Sequence, residues 1–200
     1  FGDGATSEGD VHEAMVFAAA FAAPVVFFVQ NNQWAISVPV ARQSRAPLAT
    51  RAAGYGIPAV QIDGNDVLAS LAVTRAALDR AREGGGPTFI EAVTYRRGPH
   101  TTSDDPTRYR DQAEVEHWVA LDPLDRLVRH MEIVGAWDAG FAASIDAEAD
   151  ALGERLRDAI RGMSDPDPMT MFDHVYAEPH AQVEADRQAL ADHLASDVAG

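Results

Sequence analysis

Two residue types, Cys and Lys, are missing from this chain of 200 residues, and each absence excludes a class of site. There is no Cys, which excludes disulfide frameworks, thiolate metal sites and cysteine nucleophiles. All 16 basic residues are Arg, so a Schiff-base lysine and a Walker-type phosphate loop are excluded as well. No continuous apolar stretch reaches the roughly 20 residues that span a bilayer, so we expect no membrane partner.

The charge balance is strongly acidic, with 31 Asp and Glu residues and a formal net charge of −15. Such a charge argues against nucleic acid or an anionic membrane surface as the main partner. Its ordinary role is to keep a protein soluble. The hydrophobic fraction of 46% is sufficient for a packed core, and the length suits one compact domain or most of one.

The first 94 residues alternate between helical and strand-like patterns. An Ala-rich helix is predicted over residues 9–22, with Ser7 as its N-cap, and a continuous apolar run over 25–29 is typical of a buried parallel strand. Further strands are predicted at 59–62 and 89–94. The predicted helices between them cover residues 47–53 and a segment that Asn65 or Asp66 caps and that ends near Arg82. This order predicts an α/β fold, a parallel sheet with flanking helices.

The second half of the chain has a different pattern. Residues 95–112 are polar and contain Gly and Pro, which is typical of a long functional or mobile loop. Helical patterns follow at 123–134, 139–161 and 180–195, and they predict a helical C-terminal tail. We therefore expect an α/β cofactor-binding region at 1–112 and a helical region at 113–200. Because the chain opens on what resembles the end of a strand, we also expect a fragment of a longer polypeptide.

Polar residues follow two of the predicted strands at their carboxyl ends. Asp3 lies between two glycines, and Asn32 follows the strand that comes after one helical crossover. The carboxyl ends of parallel strands meet at one edge of the sheet, where ligands of α/β proteins bind. Carboxylate and amide oxygens suit Mg²⁺, which is often shared with phosphates. The pattern predicts a metal-bridged diphosphate site. A dinucleotide fingerprint is excluded because Ser7 stands where G-x-G-x-x-G needs glycine.

The same residues carry a resemblance to a known family. Gly2-Asp3-Gly4, then 26 residues, then Asn31-Asn32 is similar to the thiamine diphosphate signature. The segments GDGATSEGDVHEAMVFAA, QNNQWAIS and YRRGPHTTSDDPTRYR resemble the α subunit of the E1 component of 2-oxo acid dehydrogenase complexes. The resemblance extends over nearly the whole chain, and it is most specific in the first 112 residues.

The resemblance implies roles for particular residues. Asp3, Asn32 and Trp34 would bind the metal, Trp34 through its backbone carbonyl. His100 would be the catalytic residue, a loop histidine that reaches the cofactor and the substrate. The other cofactor contacts implied by the family are Gly4, Ala5, Gln30 and Ile36. Relatives often carry Arg at the position of Gln30. The glutamine in this chain therefore means one cation fewer near the diphosphate.

The resemblance also implies the chemistry and the partners. The cofactors would be thiamine diphosphate and Mg²⁺, and the reaction would be oxidative decarboxylation of a small 2-oxo acid with acyl transfer to the lipoyl domain of E2. An E1 β subunit would complete the site in an α2β2 heterotetramer. A branched-chain substrate such as 2-oxoisovalerate is preferred over pyruvate, and a bacterial cytoplasm over a mitochondrial matrix. Thr101 stands where animal members carry a phosphorylated serine, with Ser103 two residues later.

Two other hypotheses remain open at this point. The acidic helices and the incomplete start are compatible with a non-catalytic interaction module whose tail docks a partner. A transketolase-like thiamine enzyme is a further possibility, but the segment 95–110 resembles only the 2-oxo acid group. Binding of thiamine diphosphate in the presence of Mg²⁺ would separate an enzyme from a scaffold.

Overall fold

The computed structural model describes residues 1–197, so the last three residues of the predicted region 113–200 lie outside it. The chain forms two compact units, Phe1–Asp138 and Ala139–Gly200. The predicted division at residue 112 separates a cofactor-binding region from a helical region. The division into compact units does not test it, so it stays a prediction.

The first unit is built on a parallel sheet. Its strands are β1 (Val26–Asn31), β4 (Ala59–Asp63) and β5 (Thr88–Val93), in the order β1-β5-β4. The opening segment extends this sheet beyond β1, because Gly2 forms a parallel bridge with Gln30. The predicted fold class, a parallel sheet with flanking helices, is confirmed.

A small hairpin stands beside the end of β1 and was not expected from the sequence. Its strands β2 (Trp34–Ala35) and β3 (Val38–Pro39) pair antiparallel. Two residues per strand are too few to produce an alternating pattern, so no periodicity indicates them.

The four helices predicted for this unit are present, with differences at their ends, and two more were not predicted, at Val40–Gln43 and Gln112–Val119. The helices of the first unit are α1 (Gly9–Ala20), α2 (Val40–Gln43), α3 (Ala49–Ala53), α4 (Val67–Arg82), α5 (Gln112–Val119) and α6 (Pro123–Ile133). Of the two caps predicted for α4, Asn65 and Asp66, it is Asp66 that accepts a hydrogen bond from the Ala69 N–H. The prediction of Ser7 as a cap was wrong.

Ser7 does not cap α1 because a 3₁₀ turn, Gly4–Ser7, precedes that helix. Glu8 takes the N-cap position instead, without a side-chain hydrogen bond. The Ser7 hydroxyl donates to Gln43. The sequence therefore indicated the helix correctly but not the tight turn that separates it from Asp3.

The core of the first unit lies between the sheet and the helices α1 and α3. Val29 on β1 and Ile90 on β5 have no exposed surface. The buried core cluster consists of Met15, Val29, Leu48, Ala49, Ala52, Ile57 and Phe89. This core fixes the carboxyl ends of β1 and β5, and with them the residues that follow.

The second unit is helical, which confirms the predicted C-terminal tail. It contains α7 (Ala139–Arg161), a 3₁₀ helix at Pro168–Phe172, and α8 (Ala181–Asp197). Arg187 on α8 donates to Asp173 at 2.6 Å and lies over the Phe172 ring, so it ties α8 to the preceding segment. Within residues 1–197, no helix has the length and apolar character that crossing a membrane requires.

Candidate metal and cofactor site

Asp3 lies where the opening segment leaves the edge of the sheet. The Phe1 carbonyl accepts from the Gln30 N–H at 2.9 Å, which continues the ladder beside β1. The chain then turns, because Thr6 donates to the Asp3 carbonyl through both its N–H at 3.0 Å and its hydroxyl at 2.6 Å. This turn buries Asp3 so that only 1% of it is exposed.

The structure brings Asp3 and Asn32 together at one edge of the sheet. The Asn32 N–H donates to Asp3 Oδ1 at 3.2 Å. Gln43, at the end of α2, donates to Asp3 Oδ2 at 3.4 Å. The two residues that the signature pairs are therefore direct neighbours, as the parallel arrangement of their strands requires.

The Asp3 carboxylate has neutral hydrogen-bond partners. Burial raises the pKa of Asp3 above its usual value, and the hydrogen bonds from its own N–H, Asn32 and Gln43 and the charge of Arg96 oppose this rise. A buried carboxylate without an ion pair is costly, and a bound cation removes that cost. The electrostatics of this position therefore favour a cation.

Asn32, whose N–H contacts Asp3, and Trp34 carry the two other oxygens predicted to bind the metal. The Asn32 Oδ1 accepts from the Trp34 N–H at 3.1 Å, and the Trp34 carbonyl accepts from Arg96 Nη1 at 2.9 Å. Each of these oxygens has two lone pairs and keeps one for another partner. A carboxylate, an amide oxygen and a carbonyl are the hard ligands that Mg²⁺ prefers, so this set fits the metal.

Among residues 1–197 there is no group of three or more His, Asp or Glu side chains that could hold a metal ion. A metal at the sheet edge, where the buried carboxylate is that of Asp3, would therefore bind to at most two such side chains of these residues. Mg²⁺ in phosphate sites is commonly bound through one or two carboxylates together with phosphate oxygens and water. The donor set is thus typical of a metal shared with a diphosphate rather than of an all-protein cage.

Gly4 allows the hairpin to approach the sheet edge. A Cβ added at Gly4 would lie 2.9 Å from the Cβ of Ala35, which is closer than carbon atoms approach without displacement. Ala5 follows it in the 3₁₀ turn and is half-buried. Gln30, the other predicted diphosphate contact on this side, is exposed on β1 next to Asn31.

Two residues of the segment between β1 and β3 have left-handed backbone conformations. Gln33 has a φ of 70° and Ile36 a φ of 53°. For a β-branched residue this is a real outlier, and such strain persists only where surrounding contacts impose it. Ile36 is 55% exposed, and its carbonyl accepts from Arg96 Nη2 at 2.6 Å. The predicted cofactor contact is thus an exposed apolar side chain on a strained, fixed backbone.

The loop after β5 is attached to this hairpin by Arg96. Besides the Trp34 and Ile36 carbonyls, its guanidinium donates to the Tyr109 hydroxyl at 2.9 Å. Tyr109 donates in turn to Asp104 Oδ2 at 2.6 Å. These contacts join the far end of the loop to the candidate metal site.

His100 lies at the exposed part of the same loop. Its N–H donates to Asp104 Oδ2 at 2.8 Å, so its backbone position is set by the carboxylate that Tyr109 also contacts. The N–H of His100, the Tyr109 hydroxyl and the nearby charges of Arg96 and His100 lower the pKa of Asp104. His100 is exposed, so a ligand has access to it.

The arginines of this loop hold it mainly through backbone carbonyl groups. Arg110 donates to the backbone carbonyls of Arg96 and Arg97 and lies over the ring of Tyr95. The ion pair of this loop joins Arg97 to Asp122 at 2.9 Å. The arginines therefore bind carbonyl groups more than carboxylates.

Sequence reasoning missed two polar residues behind the site. Gln43 contacts the Asp3 carboxylate, and Glu91 on β5 is buried and hydrogen-bonded to Asn31. Gln43 stands in a polar stretch without a motif, so no local signal identifies it. A charged residue inside an apolar strand pattern is a signal, and Glu91 could have been found by it.

Comparisons with known proteins identify a family for this chain. The family model described as Dehydrogenase E1 component matches residues 1–161. The 3-methyl-2-oxobutanoate dehydrogenase subunit alpha of Mycobacterium tuberculosis is 54% identical over 195 residues, 97% of this chain and 53% of that protein. The mitochondrial 2-oxoisovalerate dehydrogenase subunit alpha of Bos taurus is 41% identical over 97% of this chain and 43% of that protein.

A relative named for another substrate is as similar to this chain as the Bos taurus protein is. The pyruvate dehydrogenase E1 component subunit alpha of Acholeplasma laidlawii is 41% identical over 92% of this chain and 54% of that protein. The chain thus spans about half the length of the curated relatives it matches. Because the family model covers residues 1–161, the chain belongs to the dehydrogenase E1 component family.

Proposed function

We propose that this chain is the metal- and diphosphate-binding part of the α subunit of a thiamine diphosphate-dependent 2-oxo acid dehydrogenase E1. The reaction is oxidative decarboxylation of a 2-oxo acid, with transfer of the acyl group to the lipoyl domain of E2. An E1 β subunit completes the enzyme, as an α2β2 heterotetramer. The observation that carries the proposal is the buried Asp3 carboxylate beside Asn32 at the sheet edge.

The residues of this chain have a binding role in the proposed enzyme. The Asp3 carboxylate, the Asn32 amide oxygen and the Trp34 carbonyl hold Mg²⁺, while Gly4, Ala5 and their neighbours contact the diphosphate. Supporting this assignment, Asp3 is buried among neutral partners and its pKa is raised by burial. Bound thiamine diphosphate supplies the nucleophilic carbon and the electron sink for decarboxylation.

His100 and the loop that carries it act on the substrate side. The exposed imidazole orients the substrate and exchanges a proton through a ring nitrogen. The loop excludes water from the reacting atoms and shapes the entry for the lipoyl arm. The contacts of Arg96 with the hairpin carbonyls support this role, because they place the loop next to the candidate metal ligands.

The substrate proposed is a branched-chain 2-oxo acid. The names of the Mycobacterium tuberculosis and Bos taurus relatives specify 3-methyl-2-oxobutanoate, which is 2-oxoisovalerate. The former is 54% identical over 97% of this chain. Relatives named for pyruvate reach 41% over 92% of it and, in Staphylococcus aureus, 50% over 68% of it, so identity favours the branched-chain substrate by a small margin. The cytoplasm is the proposed location, in line with the bacterial origin of the more similar relative.

The proposal is tested on the full-length α subunit assembled with its β subunit. We expect activity that needs both thiamine diphosphate and Mg²⁺, and a higher kcat/KM with 2-oxoisovalerate than with pyruvate. A preference for pyruvate would reverse the substrate assignment. An assembled protein without Mg²⁺-dependent affinity for thiamine diphosphate would refute the enzyme and favour an interaction module.

The role of His100 is tested separately by His100→Ala. We expect acyl transfer to a lipoyl domain to fall by about 10²-fold or more, the usual size of a general acid–base contribution, while cofactor affinity changes little. His117→Ala is the matched control, because His117 is an exposed histidine on α5 and is expected to leave both quantities unchanged. Equal loss of affinity and transfer in His100→Ala would contradict the assignment.

A further inference from the structure

Glu91 is a charged residue inside the core of the sheet. It lies on β5, the central strand of the three, and only 1% of it is exposed. A buried carboxylate is costly unless hydrogen bonds replace its hydration. Apolar residues of similar volume often stabilise a core at least as well. Stability alone therefore does not explain a carboxylate here, and its contacts suggest what it does.

The two oxygens of Glu91 accept from two separate elements. Oε1 accepts from the Asn31 side-chain amide at 2.7 Å, and Oε2 accepts from the Ala49 N–H, at the start of α3, at 2.9 Å. Asn31 is itself 5% exposed, so its amide has few alternative partners. Glu91 thus joins the end of β1 to the first residue of α3.

Asn31 transmits this contact to the turn that follows β1. Its Oδ1 accepts from the Gln33 N–H at 3.1 Å, and Gln33 has the left-handed φ of 70°. The Gln33 side chain donates to the Thr94 carbonyl at 3.0 Å, which holds the same residue from the other side. Glu91 fixes which way the Asn31 amide faces, because its carboxylate accepts and never donates when ionised.

We propose that Glu91 is a positioning residue for the metal site. Through Asn31 its carboxylate fixes the strained turn at Gln33, and this turn presents the Asn32 amide oxygen and the Trp34 carbonyl beside Asp3. The inference rests on the proposed function, since it concerns the same cation. Residues that orient metal ligands in this way commonly change metal affinity by about 10–100-fold when they are replaced.

A reciprocal exchange of the two side chains tests the proposal. In Glu91→Gln the new amide faces either the Asn31 amide or the Ala49 N–H, so one donor meets another. In the double variant Asn31→Asp with Glu91→Gln, the amide at 91 donates to the carboxylate at 31. That carboxylate still accepts from the Gln33 N–H, and the amide oxygen at 91 still accepts from the Ala49 N–H. All three hydrogen bonds are therefore present, and donor and acceptor are exchanged only in the bond between positions 31 and 91.

The measurements are made on the full-length α subunit assembled with its β subunit. We expect Glu91→Gln to weaken Mg²⁺ affinity, measured in saturating thiamine diphosphate, by about tenfold or more. We expect the double variant to return the affinity to within about threefold of the wild type, and Asn31→Asp alone to remain weak. Hydrogen exchange without cofactor gives a second readout, in which the N–H groups of Gln33 and Trp34 exchange faster in Glu91→Gln and are protected again in the double variant.

A matched control separates positioning from loss of stability. Ile90→Val removes one methylene from the fully buried neighbour of Glu91 and is expected to lower the unfolding temperature without changing Mg²⁺ affinity. Wild-type Mg²⁺ affinity in Glu91→Gln would overturn the proposal, as would a weakened affinity that Ile90→Val reproduces and the double variant does not restore. Should Glu91→Gln fail to assemble, Glu91→Asp keeps the charge, shortens the reach, and is expected to weaken Mg²⁺ affinity likewise.

The outcome also distinguishes this proposal from the proposed function. If the wild-type assembly shows no Mg²⁺-dependent binding of thiamine diphosphate, the proposed function and the metal-positioning role fail together. If the wild type binds normally and Glu91→Gln has unchanged affinity and exchange, only the role of Glu91 is refuted.

Discussion

The sheet edge and the loop after β5 contribute to one candidate site, but they are held in place in different ways. At the sheet edge, Asp3 and Asn31 are at most 5% exposed. Asp3 accepts from Asn32 and Gln43, and Asn31 donates to the buried Glu91 carboxylate behind it. In the loop, Arg96 and Arg110 reach from partly exposed positions to backbone carbonyls. The edge is thus fixed by folding itself, while the loop depends on a few charged hydrogen bonds that a ligand or partner can compete for.

The largest effect is expected from Asp3→Asn at the sheet edge. The substitution removes the carboxylate proposed to bind Mg²⁺. Mg²⁺-dependent affinity for thiamine diphosphate should therefore fall by more than the roughly 10–100-fold that is usual for residues that only orient a metal ligand. The apo protein should be no less stable than the wild type, because a buried carboxylate without an ion pair is replaced by a neutral group.

Calorimetric titration of the assembled protein with thiamine diphosphate, with and without Mg²⁺, measures the first quantity, and urea unfolding measures the second. Asn65→Asp is a control that places an extra carboxylate at another buried residue of the same sheet edge and should lower stability without touching Asp3. Retention of tight Mg²⁺-dependent binding in Asp3→Asn would remove the metal role of the sheet edge and with it the contrast between the two regions.

The next effect is expected from Arg96→Met in the loop. This change removes the donors to the Trp34 and Ile36 carbonyls and to Tyr109. Hydrogen bonds to charged groups contribute about 1.5–3 kcal/mol each, so acyl transfer to a lipoyl domain should fall by at least about tenfold. The amide N–H groups of residues 97–109 should exchange faster, while those of β1 and β5 should remain protected.

Arg97→Met is the matched control for this loop variant. Arg97 is the adjacent arginine, it is 46% exposed in its side chain, and it pairs with Asp122 instead of the hairpin. We expect little change in acyl transfer, because exposed ion pairs contribute about 0–1 kcal/mol. Equal effects of the two variants would show that the loop responds to any loss of charge, and faster exchange at β1 in Arg96→Met would show that the two regions are not separate.

Much of the fold could be predicted because it follows from periodicity. The apolar runs became β1, β4 and β5, and the helix predicted at 139–161 has those ends in the structure. The misses are short or local. The 3₁₀ turn at Gly4–Ser7 and the hairpin of β2 and β3 span too few residues for a pattern. The helix α5 was missed because its first turn follows directly on the polar loop and no residue of it is fully buried.

The contacts of the candidate site were likewise predictable in one part and unpredictable in the other. The pairing of Asp3 with Asn32 was predictable, because two strand ends and one crossover determine it. The contacts of Arg96 with Trp34 and Ile36, and of Gln43 with Asp3, join residues about 40 to 62 positions apart through side chains alone. Such contacts depend on rotamers and turns that no local pattern encodes. The sequence therefore identified which residues meet at the edge and not what holds them there.

A smaller effect is expected from Tyr109→Phe, and it depends on pH. Asp104 has a pKa below its usual value of 3.8, chiefly because the His100 N–H and the Tyr109 hydroxyl donate to it, with further contributions from the charges of Arg96 and His100. A lowered pKa means that the carboxylate stabilises the loop above its unfolded-state pKa and that this contribution is lost as pH falls through the lower, folded-state value. Removing the hydroxyl raises the pKa towards 3.8, so the loop should loosen at a higher pH.

The fluorescence of Trp34 during an acid titration measures this shift, because its ring lies 5.3 Å from that of Tyr109. Replacement of Trp118 and Trp137 by Phe isolates its emission. We expect the acid transition of Tyr109→Phe at a higher pH than that of the wild type, and we expect Asp104→Asn to abolish it. Transitions at the same pH in all three proteins would mean that the signal reports the core and not the loop.

The smallest expected effect comes from removing the capping carboxylate of one helix in each region. Asp66 caps α4 and Asp111 caps α5, and each accepts from a backbone N–H at 2.9 Å. Loss of such a cap costs about 1 kcal/mol where the helix belongs to the cooperative core. The helix α4 packs on all three strands and buries two alanines, whereas no residue of α5 is fully buried.

Asp66→Ala should therefore lower the free energy of unfolding of the α subunit by about 1 kcal/mol, measured by urea denaturation. Asp111→Ala should lower it by less than half as much and instead increase hydrogen exchange within α5, because a helix at the edge of the core frays before the protein unfolds. The two losses are chemically identical, so any difference between them comes from the surroundings of each helix. Equal losses would mean that α5 and the loop before it unfold together with the sheet. The loop would then be fixed by folding as firmly as the sheet edge.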